Sequence, residues 1–259
     1  MRAYVDVPTV SLRMLEQQFG YFRIAVFNRN SSSHLEKALK SLQADGVSLR
    51  GLIIDLRDNP GGIMQQAVTM ADGFLDEGLI VSTRGRNAVM QMEFSATEGQ
   101  WVPDVPIIVL VDRGTASASE VVAGALQDHG RAVIVGERTF GKGSVQSVLP
   151  LRNGDGIKIT TARYYTPAGR SIQAEGIVPD IRIKADDSSV SPDERIREAD
   201  LDRHLVNTTL PDTSGTTLEM YTQNMTVVEE ALQVLLDAGL LSGTIDSPEN
   251  PSEPGEEAP

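Results

Sequence analysis

Hydroxyl side chains cluster in Gly114-Thr115-Ala116-Ser117-Ala118-Ser119, which follows the apolar run Pro106–Val111 and leads straight into a helical pattern. A strand feeding directly into a helix puts a small hydroxyl at the helix N-terminus with backbone N–H groups beside it. Such a corner stabilises developing negative charge. The same residues are also ordinary N-caps and close-packing positions, and on local pattern alone that plainer reading is favoured. A serine nucleophile needs a base to take its proton. The chain has no cysteine and only three histidines, His34, His129 and His204, none spaced as metal ligands. Thiol chemistry, disulfides and Cys–zinc sites are therefore excluded, and no metal site is expected. Lysine is the base that remains, as in Ser–Lys hydrolases. An amine of ordinary pKa about 10.4 must be desolvated to serve near neutral pH. Of the five lysines, Lys142 stands out between Gly141 and Gly143. A lysine between glycines is more often a turn residue, so this sign is also weak alone.

The elements that would position these residues alternate between strands and helices. Tyr21–Phe27 reads as a strand, Ser31 to about Ala44 as a helix capped by Ser31–Ser33, and Gly51–Leu56 as a buried parallel strand. The turn Asp58-Asn59-Pro60-Gly61-Gly62 precedes a helix over Met64–Leu75. Leu79–Thr83 and Ala88–Phe94 read as a hairpin, Pro106–Val111 as a strand, Ser117–Gln127 as a helix and Ala132–Val135 as a strand. Val145–Leu151 and Ile157–Tyr164 flank Asn153-Gly154-Asp155-Gly156, a hairpin signal. The class is α/β. Thr226–Ala238 reads as an amphipathic helix with Val228, Leu232 and Leu235 on one face.

Charge divides the chain. The net charge is −13 over 259 residues, and residues 186–259 hold 17 acids and 3 bases, leaving 19 acids and 20 bases before them. The balance argues against nucleic-acid binding, which needs a basic face. No apolar run reaches the roughly 20 residues of a membrane helix, and the N-terminus lacks the apolar core of a signal peptide. The expected organisation is a leading segment over 1–20, a core over 21–185, an acidic linker and helical extension over 186–246, and a disordered tail over 247–259.

Four blocks in order resemble the carboxyl-terminal processing peptidases, or tail-specific proteases. These are Asp55–Gly62, Thr115–Glu120, Gln127–Gln146, and Tyr164–Gln173 with Gly176–Asp180. The resemblance implies a crotonase/ClpP-like β-β-α spiral core and a serine endopeptidase of the Ser–Lys type. By position it implies Ser117 as nucleophile, Lys142 as general base and Gln146 as the residue orienting the lysine. The N–H groups of Ala118 and of a glycine of the Pro-Gly-Gly turn, Gly62 in preference to Gly61, would form the oxyanion hole. Thr115 and Ser119 would be structural, Glu120 a capping residue, and Asp55 with Arg57 an ion pair or turn stabiliser.

The family implies no cofactor and no metal. It implies protein substrates with unfolded or apolar C-termini, a periplasmic or other extracytoplasmic setting, a homodimer, and adaptor proteins of unknown kind. Its members carry a PDZ domain ahead of the core, and this chain begins near where that domain would end. The rival reading is a catalytically silent module on the same fold that binds a peptide or an apolar ligand. A CoA enzyme of crotonase type is a weaker third.

Overall fold

A computed structural model describes residues 9–86, 91–184, 196–202, 204–207, 218–237 and 244–246. Eleven strands and four α-helices are described, in two sheets. The larger sheet runs in the order β1 (Val10–Leu15), β2 (Phe19–Ile24), β3 (Gly51–Asp55), β6 (Ile107–Val111), β7 (Ala132–Gly136), β10 (Ile181–Lys184) and β11 (Thr244–Asp246). From β2 to β10 the neighbours are parallel, and the outermost pair at each edge is antiparallel.

The central strands GLIID and IIVLV are apolar throughout because both faces of the sheet are covered. The period-two alternation sorts their side chains. Leu52, Ile54, Ile107, Val109 and Val111 pack with α1 (Ser31–Ala44), α2 (Met64–Asp72) and α3 (Ala118–Asp128). Ile53, Ile108 and Leu110 pack on the other face with Val228, Leu232 and Leu235 of α4 (Leu218–Asp237). Each such fully buried aliphatic side chain contributes about 1.5–3 kcal/mol.

The smaller sheet is antiparallel: β5 (Met92–Ser95), β4 (Leu79–Gly85), β9 (Gly156–Tyr165) and β8 (Ser144–Pro150). The antiparallel pairing of both expected hairpins is therefore present, with residues 87–90 of the first outside the described residues.

Several expectations need correction. α1 is capped at Asn30, not at a serine, and Ser31 instead bonds Thr9, Asn28 and Val26. α2 ends at Asp72, not Leu75. There Trp101 seats against Gly73, its N–H bonding Gly73 O at 2.7 Å and its ring meeting Phe74 edge-on at 5.3 Å. Within the acidic extension, α4 supplies the cover for one sheet face. Residues 1–8 of the leading segment, residues 185–195 and the tail 247–259 lie outside the described residues, while the rest of the leading segment forms β1 and the start of β2. No described helix is long and apolar enough to cross a membrane.

Candidate active site

Because β3, β6 and β7 are parallel neighbours, the loops after them emerge side by side at one edge of the sheet. This carboxyl edge is where open α/β sheets place their ligands. It gathers the turn 58–62, the corner 112–117 and the loop 137–143.

The corner is held from below. Thr115 Oγ1 donates to Leu56 O at 2.8 Å and accepts from Asp112 N–H at 3.0 Å. Asp112 Oδ1 collects the N–H groups of Asp58, Gly114 and Thr115. Ser119 Oγ donates to Asn59 O at 3.0 Å, and Ala116 N–H donates to the same carbonyl at 2.9 Å. Thr115 and Ser119 are thus structural, as expected, but as clamps between two loops rather than as local caps.

Ser117 sits at the N-cap of α3 with φ 59° and ψ −116°. That conformation is strained for any residue with a β-carbon, and strain of this kind clusters at functional sites. The next residue, Ala118, opens the helix, and among the described residues its N–H has no acceptor.

The glycine turn lies against this corner. A β-carbon on Gly61 would stand 2.9 Å from both Ser117 Cβ and Ala118 N. Gly61 N–H is already given to Asn59 Oδ1 at 2.9 Å, whereas Gly62 N–H has no acceptor among the described residues. Asn59 is fully buried, and its Nδ2 also donates to Ile24 O at 2.8 Å. Sequence reading saw Asn59 only as a turn residue; its role as the clamp of the glycine turn depends on partners from β2 and the corner.

Lys142 is half-buried, and its ammonium pairs with no carboxylate among the described residues. Its flanking glycines have a packing reason. Gly143 runs so close to the segment after β9 that a β-carbon would meet Gln173 N at 2.3 Å. Ala174 N–H donates to Gly141 O at 2.8 Å and Tyr164 N–H to Gly143 O at 2.7 Å. Gln146 lies on β8, exposed, and among the described residues its side chain bonds no partner. The structure thus packs Gly61 against Ser117 and Ala118, with Gly62 the next residue of the turn, and leaves Gln146 on the surface of the hairpin.

The link between corner and loop is Glu120, which sequence reading kept only as a cap. It has no exposed surface. Its Oε2 accepts the N–H groups of Ser117 at 2.7 Å and Lys142 at 2.9 Å. Its Oε1 accepts Thr139 Oγ1–H at 2.5 Å and Gly141 N–H at 2.7 Å. Burial pushes its carboxyl up to about 7, against the pull of those four donors. The Ser-x-x-Glu spacing signals the bond to Ser117. Nothing in the spacing signals the reach to Gly141 and Lys142.

Asp55 and Arg57 form the expected ion pair. Arg57 Nε and Nη2 donate to the two Asp55 oxygens at 2.9 and 2.7 Å, and Tyr21 OH adds a bond of 2.5 Å. Burial alone would raise the Asp55 carboxyl, but the Arg57 hydrogen bonds and charge outweigh it and hold it below the usual range. A depressed acid stabilises the fold above its unfolded pKa, and that contribution is lost as pH falls through the folded one. Asp55→Ala, which strands a buried guanidinium, should cost about 3–5 kcal/mol at pH 7. Urea unfolding checks this, and the gap from the parent should narrow as the solution is acidified below about pH 4.

Comparisons with known proteins show the family of the chain. The model of peptidase family S41 matches residues 18–183. A carboxy-terminal-processing protease of Bartonella bacilliformis is 47% identical over 186 residues, 71% of this chain and 43% of its own length. A carboxyl-terminal-processing protease of Synechocystis is 46% identical over 164 residues, 63% of this chain and 38% of its own. The solved photosystem II D1 C-terminal processing protease superposes with a TM-score of 0.63 at 37% identity, covering 71% of this chain and 50% of that one. The chain spans about two-fifths of the length of the curated relatives it matches. With the matched span running from β2 to β10 and enclosing all three loops of the site, the chain belongs to peptidase family S41.

Proposed function

We propose that the chain is the catalytic unit of a serine endopeptidase that cuts proteins near their C-termini through Ser117 and Lys142. One observation carries the reading. A strained Ser117 is followed by the unclaimed N–H of Ala118, the turn packed on both at Gly61 leaves Gly62 N–H unclaimed, and one buried carboxylate ties the Ser117 backbone to that of Lys142. Neutral Lys142 takes the Ser117 Oγ proton as the oxygen attacks the peptide carbonyl. The oxyanion sits between Ala118 and Gly62 N–H, where each donor is worth about 10²–10³ in rate. As the C–N bond breaks, the Lys142 ammonium returns the proton to the leaving amine. Water then attacks the acyl-enzyme with Lys142 again as base.

Every group in this scheme comes from one chain, so a homodimer would not be needed to complete the site. Gln146, four residues after Lys142, is the residue proposed to orient the lysine. Relatives include bacterial and chloroplast processing proteases, which supports an extracytoplasmic setting, periplasmic in a bacterium.

Digestion of unfolded casein tests the reading. The parent should cleave it, and Lys142→Ala should lose activity by about 10²–10⁴-fold, the scale of general base catalysis. Equal cleavage by parent and variant would remove Lys142 from the mechanism. An inert parent that still binds peptides would favour the silent module.

A further inference from the structure

Glu120 faces four hydrogen-bond donors and no acceptor. Thr139 Oγ1 also accepts Ile177 N–H at 2.7 Å, so to take a hydrogen from Glu120 it would have to turn its own hydrogen away and give up the bond it donates to the carboxylate. The pocket is therefore built for an anion. A neutral carboxyl would bring a fifth hydrogen among donors, and one of the four bonds would have to break. Two of those bonds reach the residue proposed as nucleophile and the residue proposed as base. The other two hold the same loop at Thr139 and Gly141.

We propose that Glu120 is a positioning residue of the peptidase site, whose ionised carboxylate fixes the separation of the Ser117 corner and the Lys142 loop and releases it on protonation. The inference rests on the Ser117–Lys142 reading. Glu120 touches neither substrate nor reacting atoms and acts through two backbones. The plain alternative is a helix cap that stabilises the fold and nothing more.

The titratable and charged side chains on the segments around Glu120 include Glu137, Arg138 and Lys142 of the loop after β7, Arg170, Glu175 and Asp180 of the segment after β9, and Glu198, whose N–H donates to Phe140 O. None of them bonds the carboxylate, whose partners are one hydroxyl and three backbone N–H groups. Burial holds Glu120 near neutrality, so protonation falls within the working range of an enzyme assay.

The Glu120 proton then adds its own limb to the acid side of the rate profile. Below about pH 7, log kcat should gain a second unit of slope over that of a site with a single base. In Glu120→Gln the amide oxygen still accepts from Ser117 and Lys142, but its NH₂ meets Gly141 N–H. Its kcat at pH 8 should drop about 10–100-fold with KM changed less than threefold, and the second unit of slope should vanish. Thr139→Ala leaves Glu120 in place and removes a donor that favours the anion. Its extra limb should move to higher pH, and Thr139→Ser should restore it.

The experiment is kcat and KM for a casein-derived peptide from pH 5 to 9, for parent, Glu120→Gln, Thr139→Ala, Thr139→Ser and Ser117→Ala. A folded Glu120→Gln with the parent's slopes overturns the proposal, as does a loss carried wholly by KM. If Glu120→Gln does not fold, the shift in Thr139→Ala and its reversal in Thr139→Ser decide instead. Activity surviving in Ser117→Ala would sink the dyad reading itself. An inactive Ser117→Ala beside an unchanged Glu120→Gln profile sinks only this inference.

Discussion

Ser117→Ala should lose hydrolysis by about 10⁴–10⁶-fold, the scale on which serine enzymes lose turnover when the nucleophile goes. Its partner variant Ser117→Gly should be equally inactive yet more stable than Ser117→Ala. The reason is backbone geometry. At φ 59° and ψ −116° a β-carbon is strained, at a cost of about 1–3 kcal/mol. Glycine removes that strain and gives back about 0.5–1 kcal/mol through the freedom of its unfolded chain. The net gain of about 1 kcal/mol should raise Tm by about 2–4 °C for a chain of this size. Casein turnover and thermal unfolding of the two variants check both halves. A glycine variant no more stable than the alanine one would show that the corner stores no strain. Residual turnover near the parent's level would show that Ser117 is not the nucleophile.

Much of this was legible in the sequence because it is local. GLIID and IIVLV could only be strands buried on both faces, and they are. The same runs also required a cover for each face, which α1, α2 and α3 supply on one side and α4 on the other. The helix carrying Val228, Leu232 and Leu235 was legible from its stripe, but which surface that stripe covers was not. Net charge describes the outward face of a helix and says nothing of its inward stripe. The corner was legible as a hydroxyl at a helix start; its strain was not, because strain is imposed by partners 59 and 60 residues away, Leu56 and Asn59. Glu120 shows the limit most clearly. Its charge near a helix N-terminus suits the dipole, and one of its four bonds obeys that local rule. The other three come from the loop after β7, which reaches the helix only because β6 and β7 are neighbours in the sheet.

Gly62→Ala should be the most damaging single-methyl change in the site. Gly62 has φ +136°, and an added β-carbon would lie 2.2 Å from Phe27 O and 2.9 Å from Phe27 C. Both contacts are backbone, so no side chain can swing away. Phe27 cannot yield easily either, since its ring is buried in the core and its backbone is bridged to the turn. Phe27 N–H donates to Gly61 O at 2.8 Å and Ile63 N–H to Phe27 O at 2.8 Å. The turn must lift away and break both bonds. The expected cost is more than about 3 kcal/mol, the range reserved for overpacking combined with a forbidden backbone. Lifting the turn also moves Gly62 N–H, the proposed second oxyanion donor, away from the Ser117 corner on which the turn packs at Gly61. Molecules that still fold should therefore lose about 10²–10³-fold in kcat. Gly154→Ala is the control, because it too has a positive φ, +90°, but nothing within 4 Å of an added carbon. It should cost about 1–2 kcal/mol, the left-handed penalty alone, and leave kcat unchanged. Urea midpoints, with kcat measured where each variant is folded, separate the two effects. If Gly62→Ala matches Gly154→Ala in stability, the close approach to Phe27 does not govern the turn. If it unfolds more readily but keeps the parent's kcat, Gly62 N–H is not an oxyanion donor, and Gly61 becomes the residue to test.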